Sequence, residues 1–335
     1  MILLTLNTLV MAFASPLSVL GVAPDTAGIE ARAPAPLGNG VPLRIMPLGA
    51  SITFGLQSSD GNGYREVLRD LIVNGGEISD GEDDDEEEEG DDDDSITISD
   101  GDGSDNDGKN DKQGLYIKSI RIDLGIGGGG GGNVVNMVGS RQSGTMRDND
   151  VEGWSGYRVE QVHAKAMAAA SAPHYKPNVV LINAGTNDAT QDFNVSTTGE
   201  RMEALIRDLW RVSPRAVVVL STLLVNGDPE SELNVININA QYRALVERLQ
   251  LEGEVKGEGT EGNRSRRPRH RIVLAEMHDD DDAPRLDDIP DGTHPNDEGY
   301  RKMAKIWYAA LRTASEKGWL RAPERVRGVP DDGNE

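Results

Sequence analysis

Cysteine is absent from the 335 residues, which excludes disulfides, thiolate nucleophiles and cysteine-ligated zinc or iron–sulfur centres. Imidazole is scarce: the five histidines stand at 163, 174, 270, 278 and 294, so any imidazole chemistry must use one of these. Aromatic residues make up only 4% of the chain, leaving few stacking platforms. Positive charge is short too, with 34 Lys and Arg against 57 Asp and Glu and a net charge of −23. A nucleic-acid binder needs a basic face to neutralise phosphates, and no dominant one is visible. The imbalance is local. Residues 77–112 hold 19 acids and two lysines, a net of −17, and the rest of the chain carries an ordinary −6.

The apolar stretch at residues 2–14 (ILLTLNTLVMAFA) is too short to span a bilayer comfortably. Ala12-Phe13-Ala14 fits a small-x-small cleavage site, so residues 1–22 read as a secretory signal peptide and the expected location is extracellular. Residues 23–40, rich in Ala, Pro and Gly, read as a linker, and 322–335 as a loose tail. The sequons at Asn194 and Asn263 are compatible with export. A single domain is expected over 41–321, interrupted by three segments. Residues 77–114 form a disordered acidic insertion, because dense like charge with little apolar content cannot offset ordering entropy. A Gly-rich loop follows at 125–132, and a charged insertion lies at 251–271. No window of the acidic run has the spaced acids, sixth-position Gly and closing Glu of a calcium loop.

Outside the insertions, strand and helix patterns alternate. Apolar or β-branched runs at Pro42–Leu48, Asn133–Val138, Asn178–Ala184, Ala216–Leu220 and Ile272–Ala275 read as strands. Helical spacing marks Tyr64–Val73, Arg158–Ala170, Gly199–Val212, Ile236–Leu249 and Asn296–Ser315. This predicts an α/β fold: a three-layer α/β/α sandwich around a five-stranded, mainly parallel sheet. Ligands of such sheets bind beyond the carboxyl ends of the strands.

Of four short clusters, three sit at those ends and the fourth just before the long final helix. In Gly49-Ala50-Ser51-Ile52, Ser51 presents a hydroxyl directly after the first strand, where it serves as nucleophile or as a turn and cap residue. In Val138-Gly139-Ser140-Arg141, Gly139 allows its N–H to approach a ligand closely, or makes a plain turn. In Ile182-Asn183-Ala184-Gly185-Thr186-Asn187-Asp188, Asn187 offers an uncharged N–H donor for a developing oxyanion, or an Asx-turn. In Asp291-Gly292-Thr293-His294, an acid three residues before an imidazole can fold back to hold Nδ1–H and leave Nε2 as base.

In this order the four clusters resemble the blocks of the SGNH hydrolases, the GDSL-type esterase and lipase superfamily, over roughly residues 42–76 and 133–315. A narrower resemblance is to carbohydrate esterase family 3, the acetylxylan esterases. It is carried by Arg44-Ile45-Met46-Pro47-Leu48-Gly49, Glu152-Gly153-Trp154-Ser155-Gly156-Tyr157, Asn183-Ala184-Gly185-Thr186-Asn187-Asp188 and Ser221-Thr222-Leu223-Leu224. The family's usual acid between Gly and Ser is Ala50 here. The resemblance implies an SGNH-like fold and ester hydrolysis through an acyl-enzyme, with no metal or cofactor. On that reading Ser51, His294 and Asp291 are catalytic, and the Ser51 N–H, Gly139 N–H and Asn187 side chain form the oxyanion hole. Asp188 supports the Asn187 loop, and Trp154 and Tyr157 are candidate substrate-lining residues, with ordinary packing as the alternative. The chain is not a nucleophile-elbow hydrolase, because Thr53 stands where that motif requires Gly.

The expected activity is therefore secreted deacetylation of carbohydrate, such as plant cell-wall xylan, by a monomer without nucleic-acid or membrane partners. Two alternatives remain open: a short-chain esterase or lysophospholipase, and a non-catalytic exported binding protein. Polar loops favour sugar over lipid, since a lipase would expose an apolar lid or groove. His163 and His174 read as structural or exposed, His270 sits in the charged insertion, and His278, before Asp279–Asp282, lacks a second well-spaced histidine for a metal site.

Overall fold

A computed structural model describes residues 35–76, 132–255 and 270–331. The expected signal peptide, most of the linker, the acidic insertion and most of the Gly-rich loop and charged insertion lie outside the described residues. Among the described residues, no helix is long and apolar enough to cross a membrane.

The chain order is β1 (Leu43–Gly49), α1 (Ser51–Phe54), α2 (Arg65–Val73), β2 (Val135–Met137), β3 (Arg141–Gln142), β4 (Asp150–Gly153), α3 (Val159–Ala166), α4 (Ala172–Tyr175), β5 (Val179–Asn183), α5 (Thr186–Thr190), α6 (Thr198–Val212), β6 (Val217–Ser221), α7 (Pro229–Val255), β7 (Ile272–Ala275) and α8 (Asp297–Glu316). β1 pairs in parallel with β5, β5 with β6 and β6 with β7. On its other edge β1 pairs first with β2, through Leu43–Ile45, and then with β4, through Leu48 and Gly49. The parallel sheet is the expected one. The hairpin of β3 and β4 is an addition to the five predicted strands. It is short and built from polar residues, so no apolar run announces it.

The strands are buried on both faces, which is why they read as continuous apolar runs. Alternate residues serve opposite layers. Ile45, Leu181 and Val219 face the core under α2 and α8, where Trp307 packs 5.6 Å from the Tyr64 ring. Met46, Val180 and Val218 face the core under α3, α6 and α7. Each such buried aliphatic side chain contributes about 1.5–3 kcal/mol, so the two cores fix the strand order and with it the rim where the loops gather.

Three expected boundaries need correction. Residues 35–40 do not behave as a linker: Leu37 is buried, and the Asn133 side chain accepts from its N–H and donates to its carbonyl. α7 runs well past both ends of the predicted helix. Asp228 accepts from the Ser231 N–H before Pro229, and the helical backbone continues through Val255 into the expected charged insertion. Residues 322–331 are not a loose tail. The buried Arg44 guanidinium donates to the carbonyls of Tyr175 and Glu324 and to Asp331, at 2.9, 2.9 and 2.7 Å. Arg215 holds the carbonyls of Ala322 and Pro323, and Asn136 that of Pro330. Backbone carbonyls do this work, so a charged, Pro- and Gly-containing sequence gives no sign of it.

Candidate active site

β1 ends at Gly49 and hands the chain to α1, whose first residue is Ser51. Ala50, in the cap position, offers no side-chain cap. On the far side of the rim, α8 is capped by Asn296, which accepts from the Gly299 N–H at 2.9 Å. The loop before that cap carries Asp291 and His294. Ser51 Oγ lies 2.8 Å from His294 Nε2, although 243 residues separate them in sequence. His294 Nδ1 lies 2.7 Å from Asp291 Oδ2. A carboxylate only accepts, so Nδ1 carries the proton and Nε2 is left to accept from the serine hydroxyl. Ser51 is buried and His294 mostly so, while Asp291 stays in reach of solvent.

Asp291 is held from several directions. Its Oδ1 accepts from the N–H groups of Thr293 and His294 at 2.9 and 2.7 Å. Burial pushes its carboxyl up, but the His294 N–H, the His294 ring and the Thr293 N–H outweigh this and bring the pKa down to about 2. The acid is therefore ionised across the working range and always available to the ring.

The expected oxyanion donors also end at this rim. Gly139 follows β2 and is packed so closely on β4 that an added Cβ would lie 2.2 Å from the Val151 carbonyl carbon; only glycine fits. Its N–H donates to no acceptor among the described residues. Asn187 stands in α5, reached through Gly185, whose φ of 123° is a glycine conformation. The Asn187 amide donates to the Tyr157 carbonyl at 3.0 Å, which aims the side chain and leaves its second N–H uncommitted. Asp188 is fully buried. It accepts from the Val159 N–H at 3.0 Å and from Arg201, tying α5 to the start of α3 and to α6. Burial raises its pKa despite the Arg201 pairing.

Trp154 and Tyr157 stack on one another at 5.6 Å. The Trp154 ring also carries Lys165 Nζ at 4.0 Å and Arg141 at 4.8 Å, and its indole N–H donates to Glu152. As expected substrate platforms these rings are already engaged, and a sugar would have to displace a cation to stack on Trp154. Their place is in the wall beside Arg141, which also lies 4.5 Å from the Phe54 ring of α1.

Gln57 escapes a sequence reading. Its backbone sits at φ 71°, unusual for a non-glycine, and its amide lies 3.4 Å from Asp291 Oδ2. The neighbouring Leu56 carbonyl is held by the Tyr300 hydroxyl at 2.6 Å. Gly227 N–H donates to the Gly292 carbonyl at 2.8 Å and so supports the acid–imidazole loop from beneath. The other histidines lie in separate contacts. His163 meets Asp208, and His270 stacks on Trp210 at 4.8 Å. His278 sits between Glu232 and Asp279, which raise its pKa against the lowering effect of burial. Among the described residues no group of three or more His, Asp or Glu side chains is arranged to hold a metal ion.

The architecture, a mostly parallel sheet between helical layers, is that of the SGNH-type hydrolases. Residues 94–302 match the model of the GDSL-like lipase/acylhydrolase family, and the chain belongs to that family. The matched span holds Gly139, Asn187, Asp291 and His294; Ser51 lies upstream of it. A multidomain esterase of Ruminococcus flavefaciens is 24% identical over 284 residues. That alignment covers 84% of this chain but only 29% of the relative, so the chain spans under a third of that protein's length. A family 3 carbohydrate esterase of Clostridium thermocellum superposes with a TM-score of 0.52 at 19% identity, over 82% of this chain and 98% of its own, and shares the fold.

Proposed function

We propose that this chain removes acetyl groups from carbohydrate, with plant cell-wall polysaccharide such as xylan as the substrate class, through an acyl-enzyme on Ser51. The 2.8 Å contact between Ser51 Oγ and His294 Nε2, with Asp291 on the opposite ring nitrogen, carries the proposal. Free serine is a poor nucleophile at neutral pH, so an adjacent base is required. His294 takes the Ser51 proton as Oγ attacks the ester carbonyl, and Asp291 holds the tautomer and stabilises the imidazolium. The oxyanion is met by the Ser51 N–H, the Gly139 N–H and the free Asn187 amide hydrogen. His294 then protonates the departing sugar oxygen. Water, activated by the same imidazole, releases acetate and restores Ser51.

Carbohydrate is favoured over lipid because the rim carries Gln57, Asn187, Arg141 and Asp291, and because the named relatives include a carbohydrate esterase. Polymeric substrate of this kind lies outside cells, which fits export by the apolar stretch at residues 2–14, with the enzyme acting as a monomer. The competing reading is a short-chain esterase or lysophospholipase of the same family. Acetate release from a panel of acetylated polysaccharides, set beside long-acyl ester hydrolysis and a Ser51→Ala control, separates them. We expect acetylated xylan to be turned over and long-acyl esters to be nearly inert. Preference for long acyl chains would reverse the substrate assignment.

A further inference from the structure

Glu152 is a carboxylate with no solvent exposure and, among the described residues, no ion-pair partner. Four neutral donors surround it. Oε2 accepts from the Ser140 N–H at 2.9 Å and the Ser171 hydroxyl at 2.7 Å. Oε1 accepts from the Ser140 hydroxyl at 3.0 Å and the Trp154 indole at 2.7 Å. A carboxylate is the side chain that accepts several bonds and donates none, so it suits this nest of donors. Burying a charge without a counter-charge is costly, and a fold that needed only packing here would hold an apolar residue.

Two of the four bonds clamp one residue. Ser140 is held by both its backbone N–H and its hydroxyl, and it directly follows Gly139, the residue pressed against the Val151–Glu152 peptide. Glu152 is also in register with Leu48 of β1, and the Trp154 N–H two residues on donates to the Gly49 carbonyl at 2.9 Å, just before Ser51. The Glu152 side chain therefore ties the Gly139 loop to β4, whose backbone pairs with the strand that delivers the nucleophile. Its negative charge cannot favour an oxyanion, so its contribution must be geometric.

We propose that Glu152 is a positioning residue that sets the Gly139 loop for transition-state binding; this rests on the reading of Ser51 as nucleophile and Gly139 as oxyanion donor. An amide at this place would turn an NH2 donor onto another donor, so Glu152→Gln disturbs the clamp without changing shape. Ser171, the cap residue of α4, reaches the same carboxylate from another element and makes no bond to Gly139 or Ser140, so its replacement removes one bond to Glu152 and none to the loop. The test measures kcat and KM separately for 4-nitrophenyl acetate on the full chain and on Glu152→Gln, Ser140→Ala, Ser171→Ala and Ser51→Ala, with thermal melts of each. Glu152→Gln should lower kcat by about 10²-fold, the loss typical of one oxyanion donor, with KM little changed. Ser140→Ala should lower kcat by about tenfold, because only half the clamp is lost, while Ser171→Ala should lower the melting temperature and leave kcat unaltered. A folded Glu152→Gln with unaltered kcat overturns the proposal. If Glu152→Gln does not fold, the serine pair decides: equal kcat losses in Ser140→Ala and Ser171→Ala mark Glu152 as scaffold only. Turnover by Ser51→Ala would instead overturn the underlying reading of the site, and this proposal with it.

Discussion

The shortest chain of cause and effect in the molecule runs from Asp291 to His294. Both oxygens of Asp291 are used: Oδ1 takes two backbone N–H groups and Oδ2 takes the ring Nδ1–H. Asp291→Asn can keep the backbone bonds only by turning its NH2 toward Nδ1. The ring must then carry its proton on Nε2, facing a serine that needs an acceptor. We expect kcat for an aryl acetate to fall by about 10³–10⁴-fold with the fold intact, as checked by steady-state kinetics and circular dichroism. A loss under tenfold would mean that the ring is oriented by something else. The acid and the imidazole were legible in the sequence because three residues within one loop determine their contact. Gln57 and Glu152 were not. Gln57 meets its partner across 234 residues, and the role of Glu152 depends on which strand β4 lies against.

Among the elements, what could be read was what is buried on both faces. The five apolar runs became β1, β2, β5, β6 and β7 close to their expected limits. The β3–β4 hairpin and the segment 322–331 are held by polar contacts to distant residues, and no local pattern encodes those; the start of α7 is set by a local cap, Asp228 before Pro229, that hydrophobic spacing alone does not show. The end of β7 shows what such contacts contribute. Arg243 of α7 forks onto Glu276 at 2.8 and 2.9 Å, and the Thr222 hydroxyl after β6 adds a third bond at 2.8 Å. Burial raises the Glu276 pKa, but Arg243, Thr222 and the Asp279 N–H bring it from the ordinary 4.5 to about 2. A depressed carboxylate pKa adds stability that is fully present above pH 4.5 and is lost as pH falls toward 2. Glu276→Gln should therefore be less stable than the parent by about 2 kcal/mol at neutral pH, with the gap closing as the pH is lowered through that window. Denaturant unfolding at a series of pH values measures it. A gap independent of pH would show that the ion pair is not its source.

For the molecule as a whole, the site is a product of topology. Parallel strands deliver β1, β2 and β5 to the same rim, so Ser51, Gly139 and Asn187 reach it from three different loops. His294 arrives there because α8 packs under the sheet and starts at that end. The order of the four clusters was readable in the chain; their convergence depends on the strand order β4-β1-β5-β6-β7, which no single segment states. The net charge of −23 bears little on this, since most of it lies in residues 77–112, outside the described residues. The central claim is that an imidazole 243 residues away activates Ser51. Treatment of the full chain with an organophosphonate ester, followed by peptide mass spectrometry, tests it most directly. The account predicts one adduct per chain, on Ser51, formed at a rate that collapses in His294→Ala. An unlabelled Ser51, or labelling at an undiminished rate without His294, would contradict it.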